Sequence, residues 1–382
     1  MADIKRYKEA GYVVGYEDLV KTSNDDLFPE YLEEEAWESI TEIHELRTRD
    51  SVSFAFMTDN HYMPAHGHDV NLGRTMNTLM RISHNTGIDR IFLGGDHTVD
   101  GEKKKKIEFL KSFKKHLVNF EYFPVNGNHD DGTFWDMAVH PGERSVNHLS
   151  HKELKAVFYD KLPKRGLQMG GDDALYYMYD DNFYKIRYVF LDVCDIPYIY
   201  ENGILRYRGQ DTMAMSQRQT DWLINKALKF EDKGWSVLFI SHWVPLHLDE
   251  EKEAHDNKYL EHLTDIVDAY KNGENIDKVY YDGDFELLVK TDFKGEKRAD
   301  VMGFLIGHNH VDRVSETKSG IPVISTGNAG MFNSGMKDGV FEVVRKDGDK
   351  SEILFDIVTI DKTKRKIYLT RVGEGEDREI GY

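Results

Sequence analysis

The chain has a single cysteine, Cys194, among its 382 residues. That excludes an intrachain disulfide framework and a thiolate metal cluster, since each needs at least two cysteines. Cys194 directly follows the apolar run 189–193 and reads as a buried, inert thiol. No uncharged apolar stretch approaches the length of a membrane span. The N-terminus, MADIKRYKEAGYVVGYEDLV, lacks an apolar segment followed by a small-residue cleavage site. The expectation is a soluble protein without signal peptide or transmembrane segment, and with no membrane partner. It would be cytoplasmic or associated with a phage particle. Positive charge is also short: 50 Lys and Arg face 68 Asp and Glu, a formal net charge of −18. Such a surface repels polyanions unless a local basic patch or bound cations reverse the field. Nucleic acid is therefore an open partner but not the favoured one.

Apolar material is plentiful, with 40% hydrophobic and 12% aromatic residues. That is enough for a packed core and argues against general disorder. Residues 1–50 are polar and acidic, yet Leu32, Trp37, Ile40, Ile43 and Leu46 recur at helical spacing. They predict a helix over about 29–46, forming an N-terminal arm. From residue 51 a strand–helix rhythm begins. Apolar strands at 52–57, 90–93 and about 121–125 alternate with helices at about 70–85 and 102–117. The rhythm resumes with strands at 186–193, 235–240 and 301–306 and a helix at 216–230. Two insertions, about 131–185 and 247–298, read as irregular, and the part from about 320 to 382 reads as β-rich. Residues 51–382 are taken as one domain.

Polar, ligand-type residues appear wherever a strand stops. They are Asp59 and His61, then Asp96, then Asn128, His129 and Asp130, then His242, then His308 and His310. In open α/β folds, sites lie beyond the carboxyl ends of strands. Asp59, His61, Asp96, Asn128, His242, His308 and His310 offer oxygen or imidazole donors suited to hard and borderline divalent metals. Taken singly, each has an ordinary structural explanation as a turn, cap or core residue. The ordered set, each member directly after an apolar strand, points to a metal centre.

The ordered motifs Asp-x-His, Gly-Asp, Gly-Asn-His-Asp, His and Gly-His-x-His resemble those of the calcineurin-like metallophosphoesterase superfamily, over residues 51 to about 330. The resemblance implies an α/β fold, a four-layer α/β/β/α sandwich of two mixed sheets; the two insertions, which directly follow Asp130 and the His242 strand, are expected to cap the site. It implies two metal ions, Mn, Fe or Zn. Asp59, His61, Asp96 and His310 would hold the first, and Asp96, Asn128, His242 and His308 the second. His129 would face the phosphate, with Asp130 orienting it. The implied activity is phosphoester hydrolysis by a hydroxide formed between the ions, assisted by His129 as proton donor. The expected substrate is a small or flexible phosphoester, cleaved as a diester first of all, with a phosphomonoesterase as the alternative.

The sequence departs from two branches of that superfamily. Ser/Thr protein phosphatases carry phosphate-clamping arginines near the second and third motifs, where this chain has Asp100 and Val125-Asn126. Purple acid phosphatases carry a Tyr three residues after the second-motif Asp, where this chain has Val99. The pattern looks closer to bacterial and phage-associated phosphodiesterases. Two alternatives stay open: a nuclease using the same metal site, and a phage structural or attachment module on a phosphoesterase scaffold. The sequence does not address the oligomeric state.

Overall fold

The computed structural model describes residues 28–136, 141–209, 212–245, 257–331, 333–337 and 340–382. The acidic stretch 1–27 and the start of the second insertion, 246–256, lie outside the described residues. The chain runs α1 (Glu30–Leu46), β1 (Ser51–Met57), α2 (His66–Thr86), β2 (Arg90–Leu93), α3 (Lys103–His116) and β3 (Glu121–Pro124). There follow α4 (His151–Phe158), β4 (Leu167–Met169), β5 (Tyr177–Asp181), β6 (Ile186–Phe190), α5 (Gln217–Trp222) and β7 (Ser236–Ile240). Then come α6 (Glu261–Asn272), β8 (Asp300–Ile306), β9 (Arg313–Glu316), β10 (Pro322–Ser325), β11 (Leu354–Asp361), β12 (Lys366–Gly373) and β13 (Arg378–Gly381), besides three short two-stranded sheets among the described residues.

These strands build two large mixed sheets, ordered β13-β12-β11-β1-β2-β3 and β9-β10-β8-β7-β6-β5-β4. The strands β1, β2 and β3 are parallel, as are β6, β7, β8 and β10. The strands outside them pair antiparallel. Within each sheet the parallel strands therefore end on the same side.

Side-chain alternation sets the layers. On β6 and β7, Tyr188, Phe190, Leu238 and Ile240 enter the core shared with the first sheet. Their neighbours Val189, Val237 and Phe239 enter the second core, with Leu223, Leu263 and Val267 from the helical layer. The Phe92 ring lies 4.9 Å from Tyr188 and 5.1 Å from Phe190, joining sheet to sheet. The helices α1, α2 and α3 add Leu32, Ile40, Leu79, Ile82, Leu110 and Phe113 to the first core. The architecture is the α/β/β/α sandwich that the motif order implied. Helix α1 is also held by a buried acid: Glu35 accepts the Gly373 N–H at 2.9 Å and pairs with Lys350 at 2.9 Å.

The reading of both insertions as irregular needs correction. Helix α4 lies in the first, opened by a capping box in which Ser150 and Glu153 satisfy each other's backbone N–H. Its Phe158 packs on His97 with ring centres 4.6 Å apart. Helix α6 lies in the second and buries Leu263, Ile266, Val267 and Tyr270, an i, i+3, i+4, i+7 set. Both patterns are legible but short, and charged neighbours dilute them.

Candidate metal centre

The expected ligands stand where parallel strands end: Asp59 and His61 beyond β1, Asp96 beyond β2, Asn128 beyond β3, His242 beyond β7, and His308 and His310 beyond β8. The backbone at these ends is unusual. Among the described residues nine non-glycine residues have positive φ, and five are Asp59, His61, Asp96, His308 and His310. Left-handed conformations cost roughly 1–3 kcal/mol each and persist where surroundings over-determine them. Glycines let the ends approach. A Cβ on Gly127 would stand 2.1 Å from the Asp96 nitrogen, and one on Gly307 would stand 2.3 Å from Asp59 Oδ2. No side chain larger than hydrogen fits either place.

The seven side chains form two adjoining groups. In one, His310 Nε2 lies 3.1 Å from His61 Nε2 and 3.3 Å from Asp59 Oδ1. In the other, Asn128 Oδ1 lies 2.8 Å from His242 Nε2 and 3.1 Å from His308 Nδ1. Asp96 joins them, its Oδ2 being 3.6 Å from His61 Nε2 and 3.4 Å from His242 Nε2. Supporting bonds aim these donors. His242 Nδ1 donates to the Gly94 carbonyl at 2.8 Å, leaving Nε2 toward the site. Asp59 Oδ2 accepts from the His308 N–H and the Thr58 hydroxyl, at 2.9 and 2.7 Å.

His129 sits beside Asp96, with Nε2 3.9 Å from Asp96 Oδ2. Its Nδ1 pairs with Asp100 Oδ2 at 2.9 Å. Asp100, noted in the sequence only as a missing arginine, is thus the carboxylate that orients His129. Asp130 does not fill that role. Its two oxygens accept the His97 and Gly127 N–H groups, each at 2.9 Å, and so brace the turn below. Lys106 departs from the pattern of its neighbours. The basic run 103–106 reads as a solvated helix face, yet Lys106 is fully buried. Its Nζ reaches Thr98 Oγ1 at 2.6 Å and the carbonyls of His129 and Val99 at 2.8 and 3.0 Å. The signal was present: Lys106, Leu110, Phe113 and Leu117 share one helical face.

Burial and charge oppose each other here. Burial would raise Asp59, but His310 and His242 bring it down to about 2. Burial would raise Asp96 too, and His242 and His129 hold it well below the usual carboxylate range. Burial takes His61 down to about 3, leaving a neutral imidazole. His129 goes the other way: burial lowers it, but Asp100 and Asp96 raise it to about 9. A cation on Asp96 would offset that residue's pull, while the bond to Asp100 would persist.

The residues present fit metal ions. Asp59 Oδ1 is fully buried and no described donor is aligned on it. It belongs with His61 and His310 to a group whose ligand atoms lie within 4.8 Å of one another, as do Asp59, Asp96 and His242. Two ligands of one ion with bonds of about 2.1 Å stand about 3.0–3.4 Å apart, the spacing of His61–His310 and Asp59–His310. Other residues near the motifs have structural partners. His97 bonds the Val125 carbonyl at 2.9 Å, and Asp131 accepts from Thr133 and Tyr198. Cys194 is buried, as expected. No described helix is long and apolar enough to cross a membrane.

No protein-family model and no curated protein sequence matches the chain. Among solved structures it is similar to a dimetal phosphatase from Danio rerio, with 15% identity and a TM-score of 0.55. That match covers 86% of this chain and 98% of the other. A 5'-nucleotidase from Candida albicans matches at 15% identity and TM-score 0.36, over 72% of this chain and 46% of that one. An NAD nucleotidase from Haemophilus influenzae matches at 11% and 0.34, over 86% and 49%. The last two are too distant to carry an argument. The first shows the fold, which this chain shares with that dimetal phosphatase.

Proposed function

We propose that the chain, folded as a calcineurin-like metallophosphoesterase, hydrolyses phosphoesters and prefers diesters of small or flexible molecules. The carrying observation is the convergence of seven ligand-type side chains into two groups joined by Asp96, with His129 alongside. In this reading Asp59, His61, Asp96 and His310 hold one ion, and Asp96, Asn128, His242 and His308 hold the other. Two divalent ions bound there would activate a water and neutralise phosphoryl charge. The chain's own groups supply the remaining work. His129, anchored through Nδ1 on Asp100, keeps Nε2 toward the site, where it can give a proton to the departing alkoxide. Its backbone N–H donates to Asp96 Oδ1 at 2.9 Å, coupling its position to the joint ligand. The diester preference is supported by the absence of phosphate-clamping arginines near the second and third motifs, which a dianionic monoester needs more than a monoanionic diester does.

The test is to strip the protein, reload it with Mn²⁺, and compare kcat/KM for bis-p-nitrophenyl phosphate and p-nitrophenyl phosphate. Asp96→Ala serves as control. The expected result is diester hydrolysis that the substitution abolishes. Greater activity on the monoester would overturn the diester preference, and activity on neither despite two bound ions would overturn the enzyme reading. Efficient cleavage of DNA or RNA in parallel would instead favour the nuclease alternative.

A further inference from the structure

We propose that Asp192 and His151 are positioning residues for the third ligand motif: the Asp192 carboxylate holds Asn126, which leads into Asn128, and the His151 imidazole holds that carboxylate. The inference rests on the metal-centre reading, because it concerns how one expected ligand is kept in place. Gly127, between Asn126 and Asn128, has no side chain by which the turn could be gripped. Its backbone is fixed from one side by Asp96 and Asp130. The other side falls to Asn126, whose Nδ2 donates to Asp192 Oδ1 at 3.1 Å, both residues being buried. Asn126 lies beyond β3 in the first sheet and Asp192 beyond β6 in the second, so this bond ties the two sheets together at their ligand-bearing end. Asp192 is itself well held. Gln219 on α5 accepts its N–H at 2.9 Å and donates to its carbonyl at 2.7 Å, and the Cys194 N–H donates to Oδ1 at 3.0 Å.

The second carboxylate oxygen brings in His151. Asp192 Oδ2 is buried and meets no hydrogen-bond donor among the described residues, and His151 Nε2 is likewise buried and unmatched. The two atoms stand 3.9 Å apart, and His151 Nδ1 stands 3.7 Å from Asp195 Oδ1. A buried carboxylate without a partner is costly, and a nearby imidazolium offsets that cost. Burial pushes the Asp192 carboxyl up to about 6, against the pull of His151 and with the push of Asp195. Cys194, Tyr159 and Tyr198 also face Asp192, and Asp131 and Asp173 face His151. All of these are neutral or negative, so His151 is the ionisable group that favours the charged carboxylate. A charged acceptor holds an amide more strongly than a neutral one. His151 is the first residue of α4, so the first insertion steadies the third motif through it.

The experiment compares the full-length wild type with Asp192→Ala, Asp192→Asn, Asn126→Ala, His151→Ala and the double variant Asn126→Ala with Asp192→Ala. The Asn126 side-chain amide is followed by NMR through a pH titration of the metal-free protein, and Mn²⁺ affinity is measured by calorimetry at neutral pH. In wild type the amide signal should titrate with a midpoint of about 6. His151→Ala should move that midpoint up, because the group that lowers it is gone, and Asp192→Asn should abolish the transition. Asp192→Ala and Asn126→Ala should each weaken Mn²⁺ binding by roughly 10- to 100-fold. The double variant should bind no more weakly than Asp192→Ala, since the two side chains act through one bond. A purely structural role would lower Tm and leave the midpoint where it is. No transition in wild type, an unmoved midpoint in His151→Ala, or Mn²⁺ affinity within twofold of wild type in both single alanine variants would overturn the proposal. If Asp192→Ala misfolds, Asp192→Asn, which keeps the shape of the side chain, decides through its titration. If wild type binds no Mn²⁺, the metal-centre reading fails, and the NMR titration still judges the pair.

Discussion

At the scale of single residues, the site turns on what holds each donor. His129 is aimed by Asp100, because Asp100 Oδ2 stands 2.9 Å from Nδ1 while both oxygens of Asp130 are occupied by backbone N–H groups. His129→Ala should lower kcat by roughly 10²- to 10⁴-fold, the usual share of a positioned acid–base group, with metal content unchanged. Asp100→Asn should lower it less, since the imidazole stays but is held more loosely. The two residues act as a unit, so the double variant should be no slower than His129→Ala. Steady-state kinetics on the four proteins checks this; multiplicative losses would separate the roles.

At the scale of elements, each motif is a strand end, and those after β1, β2 and β8 carry residues in left-handed backbone. The ends of β2 and β3 interlock through Gly127 against Asp96, and helix α3 fixes both from below. Lys106 on that helix ties Thr98 and Val99, from the loop after β2, to the His129 carbonyl from the loop after β3. Burial pulls the lysine below its usual pKa, and Asp130 and Asp100 pull it back. Lys106→Met would keep the packing volume but strand buried carbonyls and leave the nearby acids uncompensated. We expect a loss of about 3 kcal/mol, read as a lower urea midpoint, together with a lower kcat. A variant with wild-type stability would show that the lysine is replaceable.

At the scale of the whole molecule, a buried charge cluster fastens the two sheets together near their antiparallel strands. Asp356 on β11 accepts from Arg371 Nε on β12 at 2.9 Å and from Arg378 Nη2 on β13 at 2.6 Å. Arg378 also donates to the Ser325 carbonyl on β10 of the other sheet, at 2.7 Å. Burial would raise the Asp356 carboxyl, but Arg371 and Arg378 hold it below its ordinary value. A lowered acid stabilises the fold above its unfolded pKa of about 3.9, and that stabilisation fades as pH falls through the lower folded value. Asp356→Asn should therefore cost about 3–5 kcal/mol at pH 7, and the gap from wild type should narrow below about pH 4. Urea melts at pH 7 and pH 3 test both statements; a gap that widens in acid would contradict them.

The sequence by itself determined which ligand-type side chains stand at the strand ends and, through the resemblance they carry, the layered α/β/β/α frame. That was possible because these residues follow their strands directly in sequence and because apolar alternation is local. It also held the burial of Cys194 and the face shared by Lys106 and Leu110, although the latter was masked by three neighbouring lysines. Only the tertiary structure decided which carboxylate meets His129. Asp100 and Asp130 both lie near motif residues in sequence, and the choice depends on how two separate loops pack. It also decided that the connection before α5 packs on the His129 turn, where the Gly209 N–H donates to Thr133 Oγ1. Contacts between segments so far apart arise from the path of the chain across the sheets, and no local pattern encodes that path.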